Sequence, residues 1–411
     1  MKPRSAVNRF LVYALLLGGS AVFLFPLVWM ICTSLKPVEQ TMTLPLTWLP
    51  RAFYAVVDGR RMEVTRDYRI EQPSVIVVPN EGPTAGKRAL LPAAAFDRQK
   101  GLAHIQLFED GLPVEKPIAA TLIKDVAPGW WHVTEFSATH VRAHELSWDV
   151  VPESALEARI RPRWENYPNA LATMGGRSLE EVEGSVERRG TGVSEDTVVS
   201  FRTFLRNTLF VCVLGVIGSV LSNALIAYGF TRVRWRGRNT LFALTLATMM
   251  VPFPVLMVPL YGVFKTLGWI GTLKPLWVPA FFGSAFNIFL MRQFFRTIPE
   301  ELSEAARIDG CSEWGIFWRI ILPLSWPVLA VVALFHFLWA WNDFMGPLLY
   351  LTRKHTFTLA LALQNYQSQH GGVQWHLLMA ASAVVVMPII ILFFFTQKTF
   401  IRGIATTGIK G

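Results

Sequence analysis

The chain has 411 residues and a formal net charge of +10, with 52% apolar and 17% charged residues. One soluble core is excluded by the distribution of those charges, because long stretches carry none and the polar residues bunch between them. The positive balance does not call for nucleic acid, since arginines flanking apolar runs report membrane topology and attraction to anionic lipid.

From Phe10 to about Thr33 an uncharged apolar run follows Lys2, Arg4 and Arg9. About 20 helical residues at ~1.5 Å each cross ~30 Å of hydrocarbon, so the run predicts a first transmembrane helix. A cleavable signal peptide has a shorter apolar part and a small-residue cleavage site. Here Ser34-Leu35-Lys36-Pro37 follows a run of full spanning length. Residues 1–50 are therefore expected to hold a cytoplasmic N-terminus, this helix and the start of an external loop.

Between 51 and 163 the pattern changes to short alternating runs, such as Ile105 and Leu107 around Gln106, and Leu146, Trp148 and Val150. Ser74 to Val78 is a β-branched run ending at Pro79. Such runs, punctuated by Pro and Gly, predict an inserted β-rich extracytoplasmic domain. His140 and His144 share an i, i+4 spacing, but two ligands without a third are surface histidines rather than a metal site. Of the adjacent Trp130 and Trp131, at least one is expected in the core, since neighbours in a strand face opposite ways. Gly82 to Gly86-Lys87-Arg88 lacks both the glycine spacing and the Ser or Thr of a phosphate loop. The segment has no cysteine; Cys32, Cys212 and Cys311 all lie elsewhere, so no disulfide framework forms there. Residues 164–203 read as an external linker, with a solvated, Glu-rich helix and linker over Gly175 to Ser200.

Residues 204–411 carry five more apolar stretches: about Phe204 to Phe230, Leu241 to Phe264, Leu276 to Phe294, Leu324 to Leu349 and Leu377 to Phe400. Six spans result, and Pro252, Pro254, Pro259, Pro279, Pro327 and Pro388 are expected bends. Arg232, Arg234, Arg236 and Arg238 lie between spans two and three, and Arg292, Arg296, Arg307 and Arg319 between four and five. Lys265, Lys274, Arg353 and Lys354 alone face the other way. Both termini are therefore expected in the cytoplasm and the 51–163 domain outside.

Between spans four and five, Thr297 and Glu300 have capping-box spacing, Pro299 suits a first turn and Gly310 a C-terminal stop. A second helix is expected from Ser312 to before Pro323, with Ile316, Phe317, Ile320 and Ile321 as its apolar stripe. Two short helices with an exposed apolar face make a knob that inserts in a protein groove or lies among head groups.

Glu304-Ala305-Ala306, Asp309-Gly310, Ile320 and Leu322-Pro323 resemble the EAA loop of binding-protein-dependent ABC importer permeases. Cys311 stands where that family usually has alanine. The resemblance extends to Ser34-Leu35-Lys36-Pro37, Trp164-Glu165-Asn166-Tyr167, Trp341-Asn342-Asp343-Phe344 and Gly408-Ile409-Lys410-Gly411, and is to the sugar-importer branch, especially the smaller maltose permease. It leaves out about 51–163 and 175–200.

The resemblance implies an all-α polytopic fold of six transmembrane helices carrying the β-rich insert, in the cytoplasmic membrane. It implies a non-catalytic permease for a sugar or related solute, with no cofactor or metal of its own. Its partners would be a cytoplasmic ATPase dimer, a second and homologous permease subunit, an extracytoplasmic solute-binding protein and membrane lipid. The 297–323 loop would contact the ATPase through Glu304 and Ala305 to Gly310. The tail, with Gly408, Lys410 and Gly411, would reach between the ATPase subunits, and the loop near Gln364 to Gln374 would face the binding protein. Asn223, Asn287, Asn342 and Asp343, costly in lipid, are expected to face the bundle or its translocation path. An ion-driven carrier would want an acidic relay at mid-membrane, which the spans scarcely offer. An anchored external enzyme or sensor would need only one span and a catalytic set, and no triad stands out.

Overall fold

The structure, a computed structural model, describes residues 6–41, 47–81, 85–109, 112–136, 147–175, 199–366 and 374–405. It divides into two compact units, Met1–Trp164 and Glu165–Gly411. His140, His144, Gly82 and most of the 175–200 stretch lie outside the described residues.

In the first unit, α1 (Ala6–Ser34) is long and apolar enough from Phe10 onward to cross a membrane. Among the described residues ten strands follow: β1 (Arg51–Val57), β2 (Arg60–Arg69), β3 (Ser74–Pro79), β4 (Ala89–Pro92), β5 (Phe96–Asp97), β6 (Leu102–Glu109), β7 (Leu112–Val126), β8 (Trp131–Glu135), β9 (Trp148–Val151) and β10 (Glu157–Ile160). They form two antiparallel sheets, in the orders β10-β1-β2-β8-β9 and β4-β3-β7-β6-β5. The β1–β2 hairpin turns at Asp58-Gly59, both at positive φ (51° and 75°), which suits the twist of the paired strands.

Ala55, Val57, Val64, Val133 and Val151 form one core, and Val75, Val77, Phe96, Ala103, Ile105 and Ala120 another. A third cluster, Ile70, Ile76, Val126 and Val150, draws on both sheets. The tryptophan pair divides as strand alternation requires: Trp131 packs against the first core and Trp130 against the shared cluster. Arg88 pairs with Asp58 and donates to Trp148 O (3.2 Å), a structural tie rather than part of a phosphate loop.

The ends of the strand-bearing segment meet. Arg163 N donates to Leu35 O (2.9 Å) and Arg161 N to Pro50 O (3.1 Å). Gln40 brackets Arg51, its Nε2 donating to the carbonyl (2.5 Å) and its Oε1 accepting from the N–H (3.0 Å). Arg161 and Arg163 both pair with Glu63.

The second unit is helical: α2 (Asn166–Thr173), α3 (Phe201–Thr231), α4 (Arg238–Ala247), α5 (Phe253–Thr266), α6 (Ala285–Phe295), α7 (Glu300–Ile308), α8 (Glu313–Leu324), α9 (Trp326–Asn342), α10 (Met345–Tyr350) and α11 (Trp375–Ala405). Among the described residues of the whole chain, three helices qualify as spans by length and composition: Phe10–Ser34, Phe201–Thr231 and Trp375–Gln397. Two bent pairs raise the number to five: Arg238–Met250 with Phe253–Thr266 at 101°, and Glu313–Leu324 with Trp326–Asn342 at 79°. Six continuous spans are therefore not reproduced. The expected fourth, Leu276 to Phe294, is broken into a turn at Lys274–Trp277, a 3-10 turn at Val278–Phe282 and α6. Pro275 and Pro279 lack the N–H a continuous helix uses, and Gly283 sits at φ 86°.

The long α3 runs through the centre of this unit. Toward its C-terminus Ala224, Ala227 and Tyr228 pack with Met291 and Phe295 of α6, Ile316, Phe317 and Ile321 of α8, and Val328, Leu329 and Val332 of α9. Toward its N-terminus Phe204 and Cys212 pack with Ala340, Trp341 and Leu377 to Val385. Trp341 Nε1 donates to Val385 O (3.1 Å), joining α9 to α11.

Small residues permit this closeness. A Cβ built on Gly218 would lie 2.4 Å from Phe281 Cδ2 and 2.9 Å from its Cγ, so the whole ring would have to move. Gly218→Val is expected to destabilise the detergent-solubilised protein by about 1–3 kcal/mol, the usual cost of overpacking. A lowered midpoint of thermal unfolding checks this; an unchanged midpoint would show that the ring yields freely.

Candidate functional site

The knob starts where α6 ends. Thr297 does not cap α7: its Oγ1 donates to Phe294 O (2.7 Å), and Pro299 holds the N-cap position. The expected capping box is absent because Glu300 turns outward and accepts from Arg234 Nη2 (3.0 Å). The helix stops as expected. Cys311 N donates to Ala306 O (2.8 Å) and Gly310 N to Arg307 O (3.1 Å), the paired bonds of a Schellman stop, with Gly310 at φ 82°.

Ser312 caps the second helix, accepting from Gly315 N (3.2 Å). That helix does not stop before Pro323. Phe317–Ile321 widens into a π-turn, and the helix runs on through Pro323 to Leu324 before the chain turns at Ser325. A π-turn relieves the clash between a proline ring and the carbonyl one turn back, which explains the continuation.

The two faces of the knob differ. Ser303 and Ala306 of α7 are buried, as are Ile316, Phe317 and Ile321 of α8; Ile320 and Leu322 are half-buried. The stripe expected to be exposed thus joins the bundle core. Glu304, Ala305, Asp309, Gly310 and Pro323 are exposed. So is Ile308, at 86% of its surface, one turn beyond Glu304. Trp314 and Trp318 add exposed rings on α8.

Polar contacts bind the knob to the end of α3. Arg232 is buried, and its Nη2 donates to Phe295 O (2.8 Å) and Ile298 O (2.5 Å). Tyr228 OH donates to Glu313 Oε2 (2.5 Å), while Arg307 Nε donates to Glu313 Oε1 (2.8 Å). The Arg307 hydrogen bond holds the Glu313 carboxyl below the usual carboxylate range. The ties made by Arg232 and Tyr228 were not visible in the sequence because their partners lie 63 to 85 positions away along the chain. A tyrosine and an arginine closing a long apolar helix were the available signal.

The intramembrane polar residues separate into two kinds. Asn223 Nδ2 donates to Ser219 O (2.6 Å), its Oδ1 accepts from Ser284 N (2.7 Å), and Asn287 Nδ2 reaches Ser219 Oγ (3.4 Å). Both asparagines are buried and tie α3 to α6. Asp343 Oδ1 accepts from Gly346 N (3.0 Å) and shapes the break between α9 and α10. Asn342 is exposed and donates to Leu338 O (2.8 Å). Gly408, Lys410 and Gly411 lie outside the described residues, as does 367–373, the middle of the loop from Gln364 to Gln374.

Residues 215–406 match the family model described as "Binding-protein-dependent transport system inner membrane component". The arabinooligosaccharides transport system permease protein AraQ of Halalkalibacterium halodurans is 36% identical over 209 residues, 51% of this chain and 74% of the relative. The trehalose/maltose transport system permease protein MalG of Thermococcus litoralis is 30% identical over 240 residues, 58% of this chain and 86% of the relative. A chain from the crystal structure of a bacterial ABC transporter involved in alginate import aligns at a TM-score of 0.45 and 24% identity, covering 57% of this chain and 90% of that one.

The Schellman stop at Gly310 gives a direct test. No atom lies within 4 Å of a Cβ built there, so a side chain meets backbone strain alone. Gly310→Val is expected to cost about 1–2 kcal/mol and Gly310→Asn less, since asparagine tolerates the left-handed region. Amide exchange in 300–312 should speed up in that order; equal exchange in all three proteins would remove the role given to this glycine.

Proposed function

Because the chain belongs to the family of binding-protein-dependent transport system inner membrane components, we propose that its 297–323 knob docks onto a cytoplasmic ATPase. The chain itself is a non-catalytic permease subunit of an ABC importer. One observation carries the docking assignment: α7 buries Ser303 and Ala306 in the bundle while presenting Glu304, Ala305 and the 86%-exposed Ile308 together. An exposed isoleucine beside a carboxylate on a firmly held helix suits insertion into a groove of a partner.

Coupling then works as a lever. Closure of the ATPases moves α7, and the ties to Tyr228, Arg232 and Arg234 carry that motion into α3. The tail residues Gly408, Lys410 and Gly411 are assigned to the cleft between the ATPase subunits on family likeness. A homologous second permease and an extracytoplasmic solute-binding protein complete the proposed assembly. The solute is a sugar or related compound, supported by relatives named for arabinooligosaccharides and for trehalose and maltose. Asn342 is the better candidate for the path, since it is exposed whereas Asn223 and Asn287 are buried where α3 meets α6.

The proposed topology is six passes with both termini cytoplasmic. Arginine bias supports it, as does the uncharged stretch from Pro275 to Met291, which serves as a broken fourth pass. The 51–163 segment is then an extracytoplasmic insert, and we assign it an added docking surface for the binding protein.

Two experiments test these assignments. Ile308→Asp and Glu304→Lys should weaken co-purification of the ATPase about thirtyfold each, the effect of losing a central anchor, without lowering thermal stability. Retention of the ATPase by both variants would refute docking through this face. Replacing residues 51–160 by a short Gly-Ser linker should leave ATPase association intact while weakening the binding protein's affinity for the membrane complex. Unchanged affinity and transport would remove the docking role of the insert.

A further inference from the structure

Beyond the coupling knob, three guanidinium groups converge on a cavity of about 450 Å³ beside the C-terminal end of α3. Arg238 opens α4, while Arg292 and Arg296 lie one turn apart at the end of α6. Phe230, Thr231, Asn239 and Phe242 complete the lining with them.

Among the described residues, none of the three arginines forms an ion pair, although Arg234 and Arg307 nearby in sequence each have a glutamate. Arg238 Nη1 donates to Thr231 O (3.3 Å) and Val233 O (3.2 Å), which restrains its side chain. Arg292 lies over the Phe242 ring, 4.0 Å from its centroid, and its buried Nε has no hydrogen-bond partner among the described residues. Three like charges around one cavity repel each other, and an anion placed between them reverses the sign of the interaction.

The geometry points to a site for the phosphate of an anionic phospholipid head group, which we propose binds between Arg238, Arg292 and Arg296. Guanidinium forks match phosphate oxygens in pairs, so several converging arginines suit that group better than a point anion. Exposed Trp235 stands beside the site, and tryptophan is enriched at the level where head groups lie. The assignment rests on α3 and α4 belonging to membrane spans, but not on the ATPase-docking role of α7.

Titration of the purified full chain in detergent with short-chain phosphatidylglycerol, short-chain phosphatidylcholine and inorganic phosphate, followed by native mass spectrometry, tests it. Phosphatidylglycerol should bind in preference to phosphatidylcholine, and Arg292→Gln or Arg296→Gln should each weaken it about fivefold, with Arg292→Lys weakening it less. Arg296 is exposed and makes no side-chain hydrogen bond to another described residue, so its substitution leaves the fold intact. Phosphatidylglycerol binding unchanged in both glutamine variants would overturn the site. Displacement of the lipid by equimolar inorganic phosphate would overturn the lipid as its occupant. ATPase co-purification should be the same in all these proteins; its loss in Arg296→Gln would place the partner, not lipid, in the cavity.

Discussion

Two hydrogen bonds from one buried guanidinium tie the end of α3 to the approach to the knob. Phe295 O at the end of α6 has no partner within its own helix, and Arg232 at the end of α3 donates to it and to Ile298 O in the turn beyond. A cation there also suits the negative end of α6. Tyr228, one turn earlier on α3, reaches Glu313 at the start of α8. The end of one long helix thus holds the approach to the knob and its second helix, while Ala306 and Ile316 pack into the same core. Both helices of the knob are thus held against the end of α3.

Hydropathy made the membrane segments legible but not their continuity. Phe201–Thr231 and Phe10–Ser34 match their apolar runs closely, because each lacks a break strong enough to compete with helix formation. Pro26 and Pro388 lie inside continuous helices, whereas the chain breaks at Pro252 and around Pro279. Proline alone therefore does not decide. Around Pro279 a second proline and Gly283 act within nine residues, and Asn223 accepts from Ser284 N, holding the new helix start in place. That satisfaction comes from another helix, 61 residues away, and no local pattern reveals it.

The 297–323 segment was legible as a motif and less so as a surface. Gly310 and Ser312 do what their types and positions imply, since stop and cap are local chemistry. Ile316, Phe317, Ile320 and Ile321 form a recognisable stripe, yet whether it faces a partner or the parent bundle depends on where α3 and α9 lie. Ile308 shows the converse: a single apolar residue after Arg307 carries no periodic signal, but the fold leaves it outside. Asn223 and Asn287 are buried, and their ties depend on where Ser219 and Ser284 lie, which no local pattern gives.

The insert proposed for 51–163 raises the question of how a chain accepts a domain inside a loop. Loop closure penalises length only slowly, about 0.6 kcal/mol for each doubling, so length itself is a small obstacle. The larger demand is that the added residues order themselves without drawing on the host. Here the two sheets have separate cores and share a third cluster, while backbone bonds join Leu35 to Arg163 and Pro50 to Arg161. Glu63, reaching from β2 to both Arg161 and Arg163, fastens the exit to the sheet itself. The backbone bonds at Leu35 and Pro50 and the ion pairs at Glu63 thus close the strand-bearing segment within its own unit.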